Sequence, residues 1–257
     1  MAGLTGAGGN VFPAWAAPVL LGLGAALALA YWSHQRRTAD PILNLKLLRI
    51  PTFRTSVLGG APFRIASGAV PFLLPMMLQV GFGLDPFASG SLTFVAAAGA
   101  LVMKLTAQPI LRRFGFRTVL TVNALIGAAF LLAIAGFTPD TPWWLIVAVL
   151  LVGGFFRSLQ FTSLNTIAYA DIAHDAMSQA TSLAGVTQQV WAALGITFAA
   201  LVIELSRSVR GDAGLDTADF TVAFIAVGLL GMLSAISHYR LPPGAGAEIS
   251  GRRAAGQ

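Results

Sequence analysis

Three cations, Arg64, Lys104 and Arg157, stand inside long apolar runs of this 257-residue sequence. A charge at membrane depth is costly, and it usually faces a bundle interior or a water-filled cavity. Arg64 falls about nine residues into its run, close to mid-membrane. At about 100° per residue, Arg64, Gly68, Pro71, Pro75 and Gln79 share one narrow helical sector. Proline removes a backbone donor and frees carbonyls that a cavity can hydrate, so this face is a candidate pathway wall. The same residues also fit a structural kink with Arg64 neutralised by a carbonyl or a helix end.

Arg157 opens the most polar intramembrane stretch, Arg157-Ser158-Leu159-Gln160-Phe161-Thr162-Ser163-Leu164-Asn165-Thr166. Its polar residues occupy several sides of a helix, so that half belongs among neighbouring helices rather than in lipid. Pathway or gate is the preferred role for Arg157, Gln160 and Asn165, with interhelical packing as the alternative. Lys104, about four residues from its expected helix end, reads as a snorkelling side chain. Further on, Thr181, Gly185, Gln188, Ala192, Gly195 and Ala199 recur at alternating spacings of about four and three, a stripe that permits close helix approach. Gln188 is a candidate substrate contact, and equally a candidate interhelical hydrogen-bonding group.

Other chemistries lack their residues. Asp171 and Asp175 belong to a loop and Glu204 to a helix end, so no carboxylate is expected near mid-membrane. Cysteine is absent, and the three histidines (His34, His174, His238) are far apart, so neither a metal site nor a cofactor site is expected. No P-loop, H-E-x-x-H or G-x-S-x-G is present, and an enzyme is not expected.

The elements that must position these residues follow from composition. Hydrophobic residues make up 56% and charged residues 10%, with a mean hydropathy of +0.76. Soluble domains carry about a quarter charged residues, so most of this surface must face lipid. Seven runs are long enough to span a bilayer: roughly 14–33, 55–79, 88–108, 118–137, 143–168, 179–204 and 220–239. Residues 41–48 are expected as a short helix on the membrane surface. Alternate loops hold Arg36, Arg37, Lys46, Arg49, Arg54, Arg112, Arg113, Arg117, Arg240, Arg252 and Arg253 on one side, against Arg207 and Arg210 on the other. This positive-inside bias predicts a cytoplasmic C-terminus and an outward N-terminus. It also accounts for the net charge of +6 as a topology signal, not a nucleic-acid footprint. Three segments are expected: a linker transmembrane helix at 1–40, a six-helix bundle at 41–242 and a flexible cytoplasmic tail at 243–257.

Several local patterns then converge. Pro41-Ile42-Leu43-Asn44-Leu45-Lys46-Leu47-Leu48-Arg49 precedes the second run, and Leu78-Gln79 precedes Gly83-Leu84 and Ser89-Gly90. Leu111-Arg112-Arg113-Phe114-Gly115-Phe116-Arg117 forms a basic turn ahead of the Arg157–Thr166 stretch. Together these resemble the C-terminal half of the major facilitator superfamily, in its fourteen-helix drug:proton antiporter branch of the EmrB/QacA type. The resemblance implies an all-α membrane protein with one linker helix and a six-helix half-bundle. It implies proton-coupled efflux of small molecules across the cell inner membrane by alternating access, with a second bundle as partner. The family's basic turn carries Gly and Asp where this chain has Gln108-Pro109 and Arg112, which departs from the charge relay of that turn. An odd helix count, and the absence of mid-membrane acids, lead to the expectation that an N-terminal half, or a second copy, completes the carrier. The other expectation is a non-transporting membrane protein that associates with a complete carrier.

Overall fold

The computed structural model describes residues 24, 26, 29–31, 33, 43–211 and 214–251. The chain divides into two units, Met1–Asn44 and Leu45–Gln257. In the first, the described residues between 24 and 33 are helical, and the Tyr31 hydroxyl donates to the Leu43 carbonyl (3.2 Å) and accepts from the Leu43 amide (2.8 Å). The expected helix at 14–33 otherwise lies outside the described residues.

The second unit is all helix among its described residues, with six helices long and apolar enough to cross a membrane: α1 (Pro51–Gly81), α2 (Pro86–Phe114), α3 (Phe116–Ala135), α4 (Trp143–Ala168), α5 (His174–Arg210) and α6 (Thr217–Tyr239). A 3-10 turn, Leu45–Arg49, leads into α1 where a surface helix was expected over 41–48. The six expected spans in this unit are all present. The bounds of α4 match expectation because Pro142 stops any earlier start, and exposed Trp143 and Trp144 begin the helix.

Helix ends follow local chemistry. Asp85 caps α2, accepting from the amides of Phe87 (2.9 Å) and Ala88 (3.1 Å), with Pro86 in the first turn. Gly115, at φ 77°, turns the chain between α2 and α3 in a conformation that disfavours other residues. Asp216 and Asp219 form a capping box at the start of α6. Helix α2 continues through Pro109 to Phe114, past its expected end at 108, because Ala107 and Leu111 keep its buried face packed. Lys104 therefore lies deeper in the helix than the sequence suggested, exposed beside exposed Leu101, Val102 and Leu105.

The helices pair by a simple rule. Helix α1 packs on α5 and α4 packs on α2; α1 also meets α6, α4 meets α3, and α3 meets α6. Exchanging the first three helices for the last three maps this set of pairs onto itself. Because the equivalents are three positions apart in the helix order, each runs opposite to its counterpart, the relation of an inverted repeat. The glycines show it residue by residue. A Cβ on Gly68 of α1 would lie 2.7 Å from the Ala192 backbone of α5, and one on Gly154 of α4 would lie 2.2 Å from the Ala96 carbonyl of α2. Both parallel crossings thus bring backbones together as small-residue interfaces allow.

The bundle has a basic end, where α1 begins near Arg49 and Arg54 and α2 finishes at Arg112 and Arg113, and a far end. One apolar core, with Leu73, Leu74, Met77, Leu78, Phe220 and Phe224, fills the far half. A second, with Met103, Leu111, Phe116, Leu120, Leu164 and Ile167, fills the basic half. Beyond α6, Leu241 is buried, Gly246 lies against Ile167 and Phe116, and a short helix, α7 (Ala247–Ser250), follows with Ser250 buried.

Candidate functional site

The α1–α5 crossing determines where Arg64 goes. With Gly68 seated on Ala192, the preceding turns of both helices are held close, and Arg64 reaches Gln188. Its Nη1 donates to Gln188 Oε1 at 2.8 Å and its Nη2 to Asn165 Oδ1 of α4 at 2.9 Å. The guanidinium carbon lies 5.8 Å from the centroid of the Phe161 ring, which itself meets Phe63 edge-to-face at 5.0 Å. A cation over an aromatic face and two amide oxygens compensate part of the lost hydration without a carboxylate. Arg64 is 6% exposed, whereas Gln188 and Asn165 are open on the surface of the unit. Three expected site residues, from three helices, therefore form one group.

Arg157 lies elsewhere. It lines a cavity of about 110 Å³ enclosed by residues of α1, α2, α3, α4 and α6, among them Phe63, Val70, Leu74, Phe130 and Leu131. The lining is otherwise apolar apart from Ser67 and Thr93, and Thr93 is satisfied by the Ser89 carbonyl at 2.8 Å. Among the described residues Arg157 has no hydrogen-bond or ion-pair partner.

Gln160 and Gln79 join neither group. Gln160 is fully buried between α3, α4 and α6: it accepts from Asn123 Nδ2 (2.8 Å), donates to the Leu120 carbonyl (3.1 Å) and lies 3.4 Å from His238 Nδ1. Gln79 is exposed at the far end, where its Nε2 donates to Ser89 Oγ at 3.3 Å. The single face expected for Arg64, Gly68, Pro71, Pro75 and Gln79 is not formed as one surface: Arg64 and Gly68 meet α5, Pro71 lines the Arg157 cavity, and Pro75 and Gln79 line a far-end cleft with Ser89. Different neighbours cover α1 at each height: α5 beside Gly68, the cavity beside Pro71, and α2 beside Gln79.

Comparison with known proteins bears on what such a bundle is. The sequence profile described as the Major Facilitator Superfamily matches residues 2–196 and, in an overlapping alignment, residues 56–256. The chain belongs to the major facilitator superfamily. It is 29% identical over 87% of its length to MdtD of Pectobacterium atrosepticum, which is named for multidrug resistance. It is 30% identical over 89% of its length to the proteins of the same name from Salmonella paratyphi A and Salmonella typhi. This major facilitator chain spans about half the length of these curated relatives, 48–49%. It is a multi-pass membrane protein.

The major facilitator bundle also holds functional candidates that the sequence reading passed over. Asp219, fully buried at the start of α6, accepts from Ser206 Oγ (2.7 Å), Arg210 Nε (3.1 Å) and the Asp216 amide (3.0 Å), and pairs with Arg210 Nη2. Thr217 Oγ1 donates to the Gly81 carbonyl at 3.1 Å, so α1, α5 and α6 are tied together at the far end. Asn123 was missed because it is an isolated amide in an apolar run, and His238 was weighed only as a metal ligand; their shared partner, Gln160, comes from a third helix. An isolated polar residue in a membrane helix is the one signal that marked them.

Proposed function

We propose that this chain supplies one half of a secondary exporter that moves drugs or other small molecules out of the cell in exchange for protons. The observation that carries this reading is the Arg64–Gln188–Asn165 group: polar side chains from the middle of α1, the middle of α5 and the last turn of α4, two of them open on the surface of the unit. Polar groups on such a surface belong on a hydrated path or against another bundle, not in lipid. Arg64, Asn165 and Gln188 form the central part of the pathway wall, with Arg157 in the adjoining cavity and Gln79 at the far-end cleft. Gln160 holds the helices that carry Arg157 and Asn165. Transport proceeds by rocking against a second six-helix bundle, drawn from a longer protein, a separate chain or another copy. The excess of cations at the basic end supports a cytoplasmic C-terminus in the inner membrane.

The test is efflux of a fluorescent lipophilic substrate from cells producing the chain, alone and joined to a second six-helix bundle of the same superfamily. The reading requires export that collapses with the proton gradient and is lost in Arg157→Ala. The half-length match favours a second reading, a non-transporting subunit of a complete carrier. No efflux from the chain alone, with co-purification of a full-length carrier, would establish that reading instead.

A further inference from the structure

Buried Arg64 and half-buried Arg157 are in opposite states. Arg64 is held by two amide oxygens and an aromatic face, while Arg157 lines an apolar cavity with no partner among the described residues. An uncompensated guanidinium in such surroundings is a strong attractor for an anion, and its planar fork matches a carboxylate. We propose that the Arg157 cavity binds a small organic monocarboxylate, with the carboxylate on Arg157 and an apolar body of about one ring among α1, α3 and α4. This deepens the transporter reading and rests on it for biological meaning, although binding is measured apart from transport.

Three features select this class. The side chain of Ser67, 7% exposed and on the cavity lining, has no hydrogen-bond partner among the described residues and offers a hydroxyl donor on the α1 wall. No acidic side chain lines the cavity, so an organic cation would meet only repulsion, and a neutral hydrocarbon would leave Arg157 unpaired. The cavity volume of about 110 Å³ is of the order of the roughly 150 Å³ apolar cavity known to admit benzene. That volume holds no more than about one ring, with the carboxylate on Arg157, and excludes a long acyl chain. Gly127 faces open space, since a Cβ there meets nothing within 4 Å, so the volume can be filled without touching the arginine.

The test uses the purified full chain in detergent and follows 4-fluorobenzoate by fluorine NMR. Saturable binding is expected, displaced by benzoate. Arg157→Gln should weaken it by at least about tenfold, as loss of a charged hydrogen bond requires. Arg157→Lys should retain part of it, and Gly127→Leu should abolish it with Arg157 intact. Equal saturable binding of 4-fluorotoluene or a 4-fluorobenzyl ammonium would overturn the proposal, as would affinity unchanged in both Arg157→Gln and Gly127→Leu. Displacement by palmitate at lower concentrations than benzoate would also overturn it, by assigning the site to a lipid chain. The wild-type series decides between acid, neutral and cation even where a variant fails to fold. Absent binding overturns this proposal and leaves the efflux result untouched; intact binding without efflux overturns the transporter reading alone.

Discussion

A Cβ built on Gly195 of α5 would lie 2.2 Å from the carbonyl oxygen of Ile65 on α1. Gly99 of α2 stands in the same relation to Leu151 of α4, at 2.0 Å. Ile65 lies three residues before Gly68, and Leu151 three before Gly154, so both crossings use the same glycine pair and carbonyl offset. The obstacle is backbone rather than the end of a flexible side chain, so an added methyl must push whole helices apart. Gly99→Ala and Gly195→Ala should each destabilise the bundle by about 1–3 kcal/mol, the usual range for overpacking. Gly90→Ala and Gly185→Ala, where the added carbon meets nothing within 4 Å, should be near neutral. Thermal unfolding in detergent by circular dichroism separates the two pairs.

These crossings show how far the sequence could be read. Hydropathy located α1 to α6, and the polar stretch from Arg157 drew notice to Gln160 and Asn165. Partner identity was another matter, because it depends on which helices approach closely. Arg64 meets Gln188 because Gly68 seats on Ala192, a contact between residues more than a hundred positions apart. Gln79 and Arg64 meet different partners because different helices cover α1 along its length, which a helical wheel does not show. Asp219 escaped notice as a helix-start residue, although in the fold it is fully buried against Arg210.

Gln160 joins three helices. Removing it leaves the Asn123 amide and His238 Nδ1 without this partner, beside Asn123 Oδ1 and His238 Nε2, which already lack one. Gln160→Leu should cost about 1–3 kcal/mol, the penalty for stranding buried polar groups. Asn123→Leu combined with Gln160→Leu should cost less than the sum of the two single changes, because both ends of one bond go together. A double-mutant cycle on unfolding free energies tests this.

The far-end pair is asymmetric. Asp219 is fully buried, while the Arg210 side chain is 25% exposed and also touches Asp216 at 3.2 Å. Arg210→Gln leaves a buried carboxylate with only Ser206 and the Asp216 amide; Asp219→Asn leaves an arginine that can turn to Asp216 and water. The first change should therefore be the more damaging, by about 1–2 kcal/mol, a value kept below that of a wholly buried pair because Arg210 is partly solvated. Unfolding midpoints of the two variants, compared at one pH and salt concentration, decide the order.

Orientation is open to direct measurement because the sequence contains no cysteine. Asp140, in a turn, and Arg113, at the end of α2, are exposed at opposite ends of the bundle. With the basic end in the cytoplasm, Asp140→Cys should react with a membrane-impermeant maleimide on intact cells, and Arg113→Cys only after the cells are opened. The reverse pattern would reject the proposed topology.

The contact between Arg64 and Gln188 separates a functional cation from a packing one. Interhelical hydrogen bonds in membranes couple by about 0.6 kcal/mol on average and up to about 1.7. A cycle between Arg64→Gln and Gln188→Ala should fall in the lower part of that range, because Gln188 is exposed and Asn165 shares the guanidinium. Gln188→Ala alone should cost little, since Asn165 still holds the guanidinium at 2.9 Å. The informative variant is Arg64→Lys, which keeps the charge but loses the planar fork that reaches Gln188 and Asn165 together. A pathway role requires that Arg64→Lys lose most efflux while its unfolding midpoint stays near that of the parent. If efflux instead falls only in proportion to stability, Arg64 is a strut between α1, α4 and α5.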